Sequence, residues 1–185
     1  MKTQFLTFIF ALLAVIILNS CEKETFETAA SQAELNLQAQ VGHVYPDLQC
    51  GNSRSGTLNG NNGVPLGSVE ILNSETNIYL VITMNTNYFL ENVSANFGTT
   101  ADIPENNGNM VLEDFMYLDH IDGGANEYTV IYPNTSLPIC NDVVLNATVS
   151  QRNWFGQTIS TQTAWLGTNT VYDGFFYKYC QDVCN

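Results

Sequence analysis

The sequence predicts an all-β domain, an antiparallel β-sandwich of about seven to nine strands. Three observations lead to this prediction. From residue 50 onward, apolar and polar residues alternate in short runs, and turns rich in Gly, Asn and Pro separate these runs. No segment of that region has the apolar spacing of a strong amphipathic helix. Charged residues make up only 12% of the chain, whereas Tyr, Thr, Asn and Val are frequent, as in sheets with one solvent-exposed face.

The first half of this region contains three predicted strands and a loop. Residues 69–71 alternate, the turn cluster 73–76 follows, and residues 78–84 alternate again, so these two strands lie at hairpin distance. A shorter alternation covers residues 93–97. The polar stretch 104–109 is rich in Asn and Gly and is predicted to be a loop.

The second half contains three more predicted strands. Residues 128–132 alternate, and Pro133 ends this strand because proline has no amide hydrogen to donate to a neighbour. Residues 143–149 form the next alternation, and residues 175–179 form the last. Short strands with regular turn signals are typical of antiparallel sandwiches.

The N-terminal segment has the organisation of a secretory signal peptide. Lys2 is its only basic residue, residues 5–18 are almost all apolar, and Asn19 and Ser20 close the run. A charged start, an apolar core and small residues at the cleavage position are typical of signal peptides. The alternative is a transmembrane anchor, but the run is shorter than the ~20 apolar residues of a spanning helix, and no basic stop-transfer cluster follows it.

The residue after this run is Cys21, and the whole segment resembles the signal sequence of bacterial lipoproteins. The resemblance implies that Cys21 is lipidated, that residues 1–20 are then removed, and that acyl chains provide the contact with the membrane. It also implies that the protein belongs to the cell envelope.

Residues 21–46 are predicted to be a tether, and residues 47–185 the sandwich domain. The cysteine is followed by three acidic residues, Glu22, Glu24 and Glu27. They resemble the signals that direct some Gram-negative lipoproteins to the outer face of the outer membrane. A partly ordered stalk is the favoured structure. A short helix is the alternative, because helical i, i+4 spacing relates Ala29, Ala33, Leu37 and Val41.

The charge balance excludes nucleic acid as a partner. Removal of residues 1–20 from the 185-residue chain leaves all 18 acidic residues and four basic ones, a formal charge of −14. The four basic residues are Lys23, Arg54, Arg152 and Lys178. Phosphate binding needs a basic footprint, which this chain lacks. An acidic surface is also repelled by anionic lipid headgroups.

Four cysteines remain besides the lipidated one, and an even number in an exported chain predicts disulfides. Four cysteines allow three pairings. We favour Cys140–Cys180 within the domain and Cys50–Cys184 joining its two ends. A zinc site is the alternative, but Cys180 and Cys184 lack the second pair that a zinc ribbon uses.

Five segments, taken in order, are similar to a module of bacterial exported and surface proteins. The module's pattern is a "VGTV" strand, a "NLYVTY" strand, a "YTIPL" segment and a closing "TAW.EG…YFTY". The matching segments are residues 63–71, 76–82, 128–133, 161–167 and 174–180. The resemblance covers roughly residues 50–180 and implies an extracellular β-sandwich without established catalytic residues. This chain departs from the pattern at residues 88–98, which lack the module's usual Trp and His.

The best candidates for ligand contact are Trp154 and Phe155, with Arg152 beside them. They lie in the polar stretch 151–157 between two strand patterns. An exposed Trp beside Arg and Asn is typical of a sugar platform or a protein-binding hot spot. The alternative is a loop aromatic folded back over the sandwich edge. Trp165 differs, because its apolar neighbours and its place in the module predict packing.

A calcium site is a further candidate in the acidic stretch 113–127. Calcium binds six to eight oxygens, and Gly123 and Gly124 let the backbone bend around an ion. The spacing does not match an EF-hand loop, and the alternative is a solvated acidic loop. The candidate ligands are Asp119, Asp122, Asn126 and Glu127. No other cofactor is predicted.

The sequence therefore predicts a lipid-anchored, surface-exposed protein of the outer membrane with a non-catalytic role, in adhesion or in binding a glycan or a surface protein. The alternative is a structural lipoprotein that faces the periplasm. A small hydrolase using Asp114, Asp119 or His120 is a third hypothesis, but the chain has no Gly-x-Ser-x-Gly turn, no His-Glu-x-x-His and no phosphate loop.

Overall fold

The computed structural model describes residues 38–135, 137–171 and 173–184. The signal peptide (1–20), Cys21 and most of the predicted tether lie outside the described residues. Within the described ranges, no helix is long and apolar enough to cross a bilayer.

The predicted all-β fold is confirmed. The described residues form thirteen strands, nine of them seven residues or longer, and two 3-10 helices, Thr100–Asp102 and Leu112–Asp114. In chain order the strands are β1 (Gln38–Val41), β2 (Cys50–Gly60), β3 (Pro65–Asn73), β4 (Asn77–Met84), β5 (Tyr88–Gly98), β6 (Glu105–Asn106), β7 (Asn109–Met110), β8 (Tyr117–Ala125), β9 (Glu127–Pro133), β10 (Cys140–Arg152), β11 (Thr158–Leu166), β12 (Asn169–Val171) and β13 (Gly174–Cys180).

Eleven of the strands form one continuous antiparallel sheet whose two halves pack face to face as two layers, and β6 and β7 pair as a separate two-stranded sheet. The first layer has the order β1-β9-β4-β3-β2. In the second layer β8 pairs with β5, β5 pairs with β10, and the other edge of β10 is shared by β11 and β13. Hydrogen bonding continues between the layers because β2 pairs with β3 along most of its length and with β11 through its last residues, Leu58–Gly60.

The main core lies between the layers and takes alternate residues from both. Leu80 and Ile82 of the first layer and Leu145 of the second are fully buried there. Phe97 stacks on Tyr132, with ring centroids 4.5 Å apart. This alternation of inward side chains is the period-2 pattern that predicted the strands.

Both layers are also covered on part of their outer faces, which differs from the expectation of one exposed face. Val81 of β4 is buried on the outer face, where Val44 packs against the same apolar cluster. Val144 of β10 is buried under Ile103 and Phe115, which belong to the connection between β5 and β8. Loops that cross the sheets therefore exclude water from positions that a simple sandwich leaves exposed.

The ordered sheet begins inside the segment assigned to the tether. Strand β1, at Gln38–Val41, pairs with β9 from Ile131 to Tyr128. The helical alternative is therefore wrong for Val41, because the backbone of β9 supplies the hydrogen-bond partners of an extended strand. The other residues of that alternative lie outside the described part of the chain.

Both favoured disulfides are present. Cys140 and Cys180 are direct cross-strand partners on β10 and β13. Cys50, the first residue of β2, is bonded to Cys184, with Cα atoms 4.6 Å apart. The buried side chain of Asn73 holds the same region, because it donates to the Asp182 carbonyl at 3.0 Å. The C-terminal segment is thus fixed to the start of the sandwich.

Candidate functional site

The turn between β10 and β11 is held by its own hydrogen bonds. The Asn153 side-chain oxygen accepts from the backbone amides of Phe155, at 2.9 Å, and Gln157, at 3.0 Å. The backbone N–H of Asn153 donates to the backbone carbonyl of Gln157 at 2.9 Å. Gly156 has a φ of +79°, a left-handed conformation that favours glycine. A five-residue segment of this kind closes a hairpin with a fixed shape.

This turn presents two neighbouring aromatic side chains to solvent. Trp154 is 89% exposed and Phe155 is 79% exposed. Their rings meet edge to face, with centroids 6.1 Å apart and planes at 84°. The predicted exposure of Trp154 is confirmed, because the ring does not fold back over the sandwich edge. We call Trp154 and Phe155 the hairpin tip.

The side chain of Arg152, the third candidate, contacts the neighbouring strand β5 and does not face outward. Its guanidinium lies 2.8 Å from a carboxylate oxygen of Glu91 and 4.4 Å from the ring centroid of Phe89. Burial by itself raises the pKa of Glu91, but hydrogen bonds from Ser150 and Arg152 outweigh it and lower the pKa. Arg152 thereby ties β10 to β5 at the base of the hairpin.

The structure does not bring the four calcium candidates together. These are Asp119, Asp122, Asn126 and Glu127. Asp119 accepts hydrogen bonds from two tyrosine hydroxyls. Asp122 pairs with His120 at 3.5 Å, and Glu127 lies 3.9 Å from His43. Among the described residues, no group of three or more His, Cys, Asp or Glu side chains is placed to hold a metal ion.

The hydrolase candidates are not arranged as a catalytic triad in the described part of the chain. His120 Nδ1 lies 2.8 Å from the Asn92 side-chain oxygen, and Nε2 lies 3.5 Å from Asp122. Both ring nitrogens therefore have partners that are not nucleophiles. Asp114 lies in the second 3-10 helix, and Asp119 is engaged by tyrosines.

A cleft of about 480 Å³ lies where three turns meet, and the sequence did not predict it. Trp165 packs against the apolar cluster around Val144 and Phe115, which we call the outer apolar cluster, as its neighbours predicted, but it also lines this cleft. Its ring meets Phe175 edge to face, with centroids 6.4 Å apart. Polar lining comes from Asn59, Asn61, Asn62 and Asp173.

Comparisons with family models, curated proteins and solved structures found no match for this chain. The resemblances to bacterial lipoproteins and to the exported module therefore stay predictions. The hairpin tip and the cleft are the two features of the described domain from which a role can be inferred.

Proposed function

We propose that this protein is a lipid-anchored protein of the bacterial outer membrane that displays its sandwich outside the cell and binds a partner protein through the hairpin tip. The role is non-catalytic. The observation that carries the proposal is the exposure of Trp154 and Phe155 side by side on a hydrogen-bonded turn. The lipid on Cys21 and the outer-membrane location rest on the N-terminal sequence.

Exposed aromatic side chains of this kind favour a protein partner. Trp is among the residues most enriched in interface hot spots, where it is buried in a pocket of the partner. Burial of apolar surface contributes roughly 25 cal/mol per Å², and the fixed turn reduces the entropy lost on binding. The tip projects from the end of a hairpin, so the partner has to supply the concave surface.

The direction of β1 places the start of the described chain at the end of the sandwich opposite the hairpin tip. The described chain begins at Gln38, opposite Ile131, and runs along β9 to Val41, opposite Tyr128. The end of the sandwich that β1 approaches is also the end that carries the hairpin, because Gln151 pairs with Tyr88 beside the β4–β5 turn. The N-terminal side of β1 therefore faces the opposite end.

Charge also favours the tip as the contact point. The chain has a formal net charge of −13, so most of its surface repels other acidic surfaces. Arg152, the charged residue nearest the tip in sequence, is paired with Glu91. An apolar, neutral projection on an acidic protein can approach an envelope or host protein with little electrostatic cost.

The test is affinity capture with surface proteins released from cells that carry this protein. The bait is the mature chain with Cys21→Ser, and it is compared with a bait that also carries Trp154→Ala and Phe155→Ala. We expect the double variant to lose at least about 100-fold in affinity for the captured protein, the effect of removing one or two hot-spot residues.

The matched control is Leu48→Ala with Ile139→Ala. These side chains are also exposed, at 67% and 73%, but they lie outside the hairpin. We expect this variant to bind like the parent. Equal retention by the tip variant and the parent would contradict the proposal, and so would loss of binding in the control variant alone. A periplasm-facing structural role would be indicated by a partner that is retained regardless of the tip.

A further inference from the structure

The cleft beside Trp165 has the composition of a small-molecule site. Its volume of about 480 Å³ lies within the range of ligand pockets. It is formed where the β2–β3 turn, the turn after β11 and the turn before β13 converge. Three glycines line it, Gly60, Gly63 and Gly167, so backbone groups are accessible there.

We infer that this cleft is a binding site for a neutral saccharide, with the Trp165 and Phe175 rings as the apolar surface and the surrounding amides as hydrogen-bond partners. This inference goes beyond the proposed function, because it concerns a different part of the domain and does not depend on the hairpin tip. The site is concave, whereas the tip projects.

The aromatic pair suits the apolar faces of a sugar ring. Trp165 and Phe175 are both partly buried, and their planes meet at 63°. Trp165 also packs against the outer apolar cluster, so its ring is held in place before a ligand arrives. A rigid aromatic corner binds carbon-bound hydrogens without an entropy cost for ordering the side chains.

The polar lining matches hydroxyl groups. Asn59, Asn61 and Asn62 each carry an amide that both donates and accepts hydrogen bonds. Asp173 has a fixed orientation, because one of its carboxylate oxygens accepts from the Met110 amide at 2.7 Å. Sugar hydroxyls both donate and accept hydrogen bonds, so they can pair with these amides and with the carboxylate, which a purely apolar ligand cannot do.

The charge of the lining favours a neutral ligand over an anionic one. Asp173 is the one charged side chain among the described lining residues, and the whole chain is strongly acidic. A carboxylated or sulfated saccharide meets repulsion there.

The chain allows a direct optical test, because it has two tryptophans, Trp154 and Trp165. In the mature chain with Cys21→Ser and Trp154→Phe, Trp165 is the only tryptophan. We would titrate this protein with neutral hexasaccharides of glucose, xylose, mannose and N-acetylglucosamine, and with hexagalacturonate as the anionic comparison. We expect a saturable change in emission with at least one neutral sugar, and a weaker response to hexagalacturonate.

Two variants test whether the sugar binds in the cleft. Asn61→Ala removes an exposed turn amide, and we expect the affinity to fall about 3- to 10-fold, the effect of one net hydrogen bond. Asn126→Ala, at another exposed turn position, is the matched control and keeps the affinity. We do not substitute Asn62, because its φ of +104° is unfavourable for alanine and the substitution would alter the backbone of the turn.

Calorimetry on the same variants serves as the second readout. Trp165→Phe retains an aromatic ring for packing, and we expect it to weaken sugar binding while Trp154→Ala leaves it unchanged. The inference would be overturned if no neutral hexasaccharide gave heat or a fluorescence change at millimolar concentration. Equal binding by Asn61→Ala and the parent would also overturn it, and so would stronger binding of hexagalacturonate than of every neutral sugar.

Discussion

The hydroxyl oxygens of Tyr117 and Tyr128 lie 2.6 Å apart and join the two layers of the sandwich. Tyr117 belongs to β8 in one layer and Tyr128 to β9 in the other. Asp119 accepts hydrogen bonds from both hydroxyls. The backbone pairing of β2 with β11 joins the layers elsewhere, so these two buried tyrosines and the exposed Asp119 carboxylate connect a side that has no strand pairing of its own.

The two tyrosines of this network and the buried Tyr179 should make the fold less stable at alkaline pH. Burial raises the pKa of Tyr117 and Tyr128 well above their usual value, and burial raises the pKa of Tyr179 to about 12. In the unfolded chain these groups titrate near pH ~10. Their contribution is therefore fully present below pH ~10 and is lost as the pH rises towards the folded pKa values.

Urea unfolding at a series of pH values from 8 to 11.5 measures this loss. We expect the free energy of unfolding to fall above pH ~10 by up to ~1.4 kcal/mol per pH unit for each tyrosine. Tyr128→Phe should lower stability by about 1–2 kcal/mol at neutral pH and make the alkaline decline shallower. A variant with the same alkaline slope as the parent would contradict the assignment to Tyr128.

The hairpin tip and its base should respond differently to mutation. Trp154→Ala is expected to change the free energy of unfolding by less than ~0.5 kcal/mol, because the side chain is 89% exposed. Arg152→Ala should cost about 1–3 kcal/mol, since it leaves Glu91 without its cation and removes the contact with Phe89. Denaturant unfolding of both variants checks this, and equal losses would show that the tip also supports the fold.

The pairing of β8 with β5 is irregular between His120, opposite Asn92, and Ala125, opposite Leu90, and Gly123 and Gly124 form a matched pair for testing this bulge. Both have left-handed backbone conformations, with φ of +75° and +69°. A Cβ on Gly123 meets open space, whereas one on Gly124 would lie 2.7 Å from the Arg152 guanidinium. Gly123→Ala should therefore cost about 1–2 kcal/mol from backbone strain alone, and Gly124→Ala distinctly more. Thermal unfolding should show the lower melting temperature for Gly124→Ala, and the reverse order would contradict the described packing.

The two disulfides should contribute unequally to stability. Cys50–Cys184 closes a separation of 134 residues and Cys140–Cys180 one of 40. The chain-entropy model gives about 5 kcal/mol for the first and about 4 kcal/mol for the second. Replacing each pair by alanines and measuring urea unfolding should give the larger loss for Cys50–Cys184. The opposite ranking would indicate that the C-terminal segment contributes little to the folded state.

Six of the strands, β3, β4, β5, β9, β10 and β13, were predictable because their side chains alternate, as in residues 143–149 of β10, whereas β2, β8 and β11 were not predicted. The burial of Val144 on the outer face was not predictable, since it depends on the connection from β5 to β8 folding back over the sheet. Strand β1 was missed for a similar reason: its partner β9 lies about ninety residues further along the chain, and four residues carry too little periodicity to show pairing.

The candidate sites also include features that the sequence could predict and features that it could not. The exposure of Trp154 was predictable from polar neighbours that offer it nothing to pack against. The role of Arg152 was not, because Glu91 lies on another strand. The cleft beside Trp165 combines three turns from distant parts of the chain, and no local pattern brings Asn61 and Phe175 together.

We propose that this domain is displayed outside the cell. Antibodies against the folded domain, applied to intact cells and then to cells with a permeabilised outer membrane, test it directly, with a periplasmic protein as the control. We predict equal staining before and after permeabilisation, while the control stains only afterwards. Staining of the domain only after permeabilisation would contradict surface display and place the hairpin tip against a periplasmic partner.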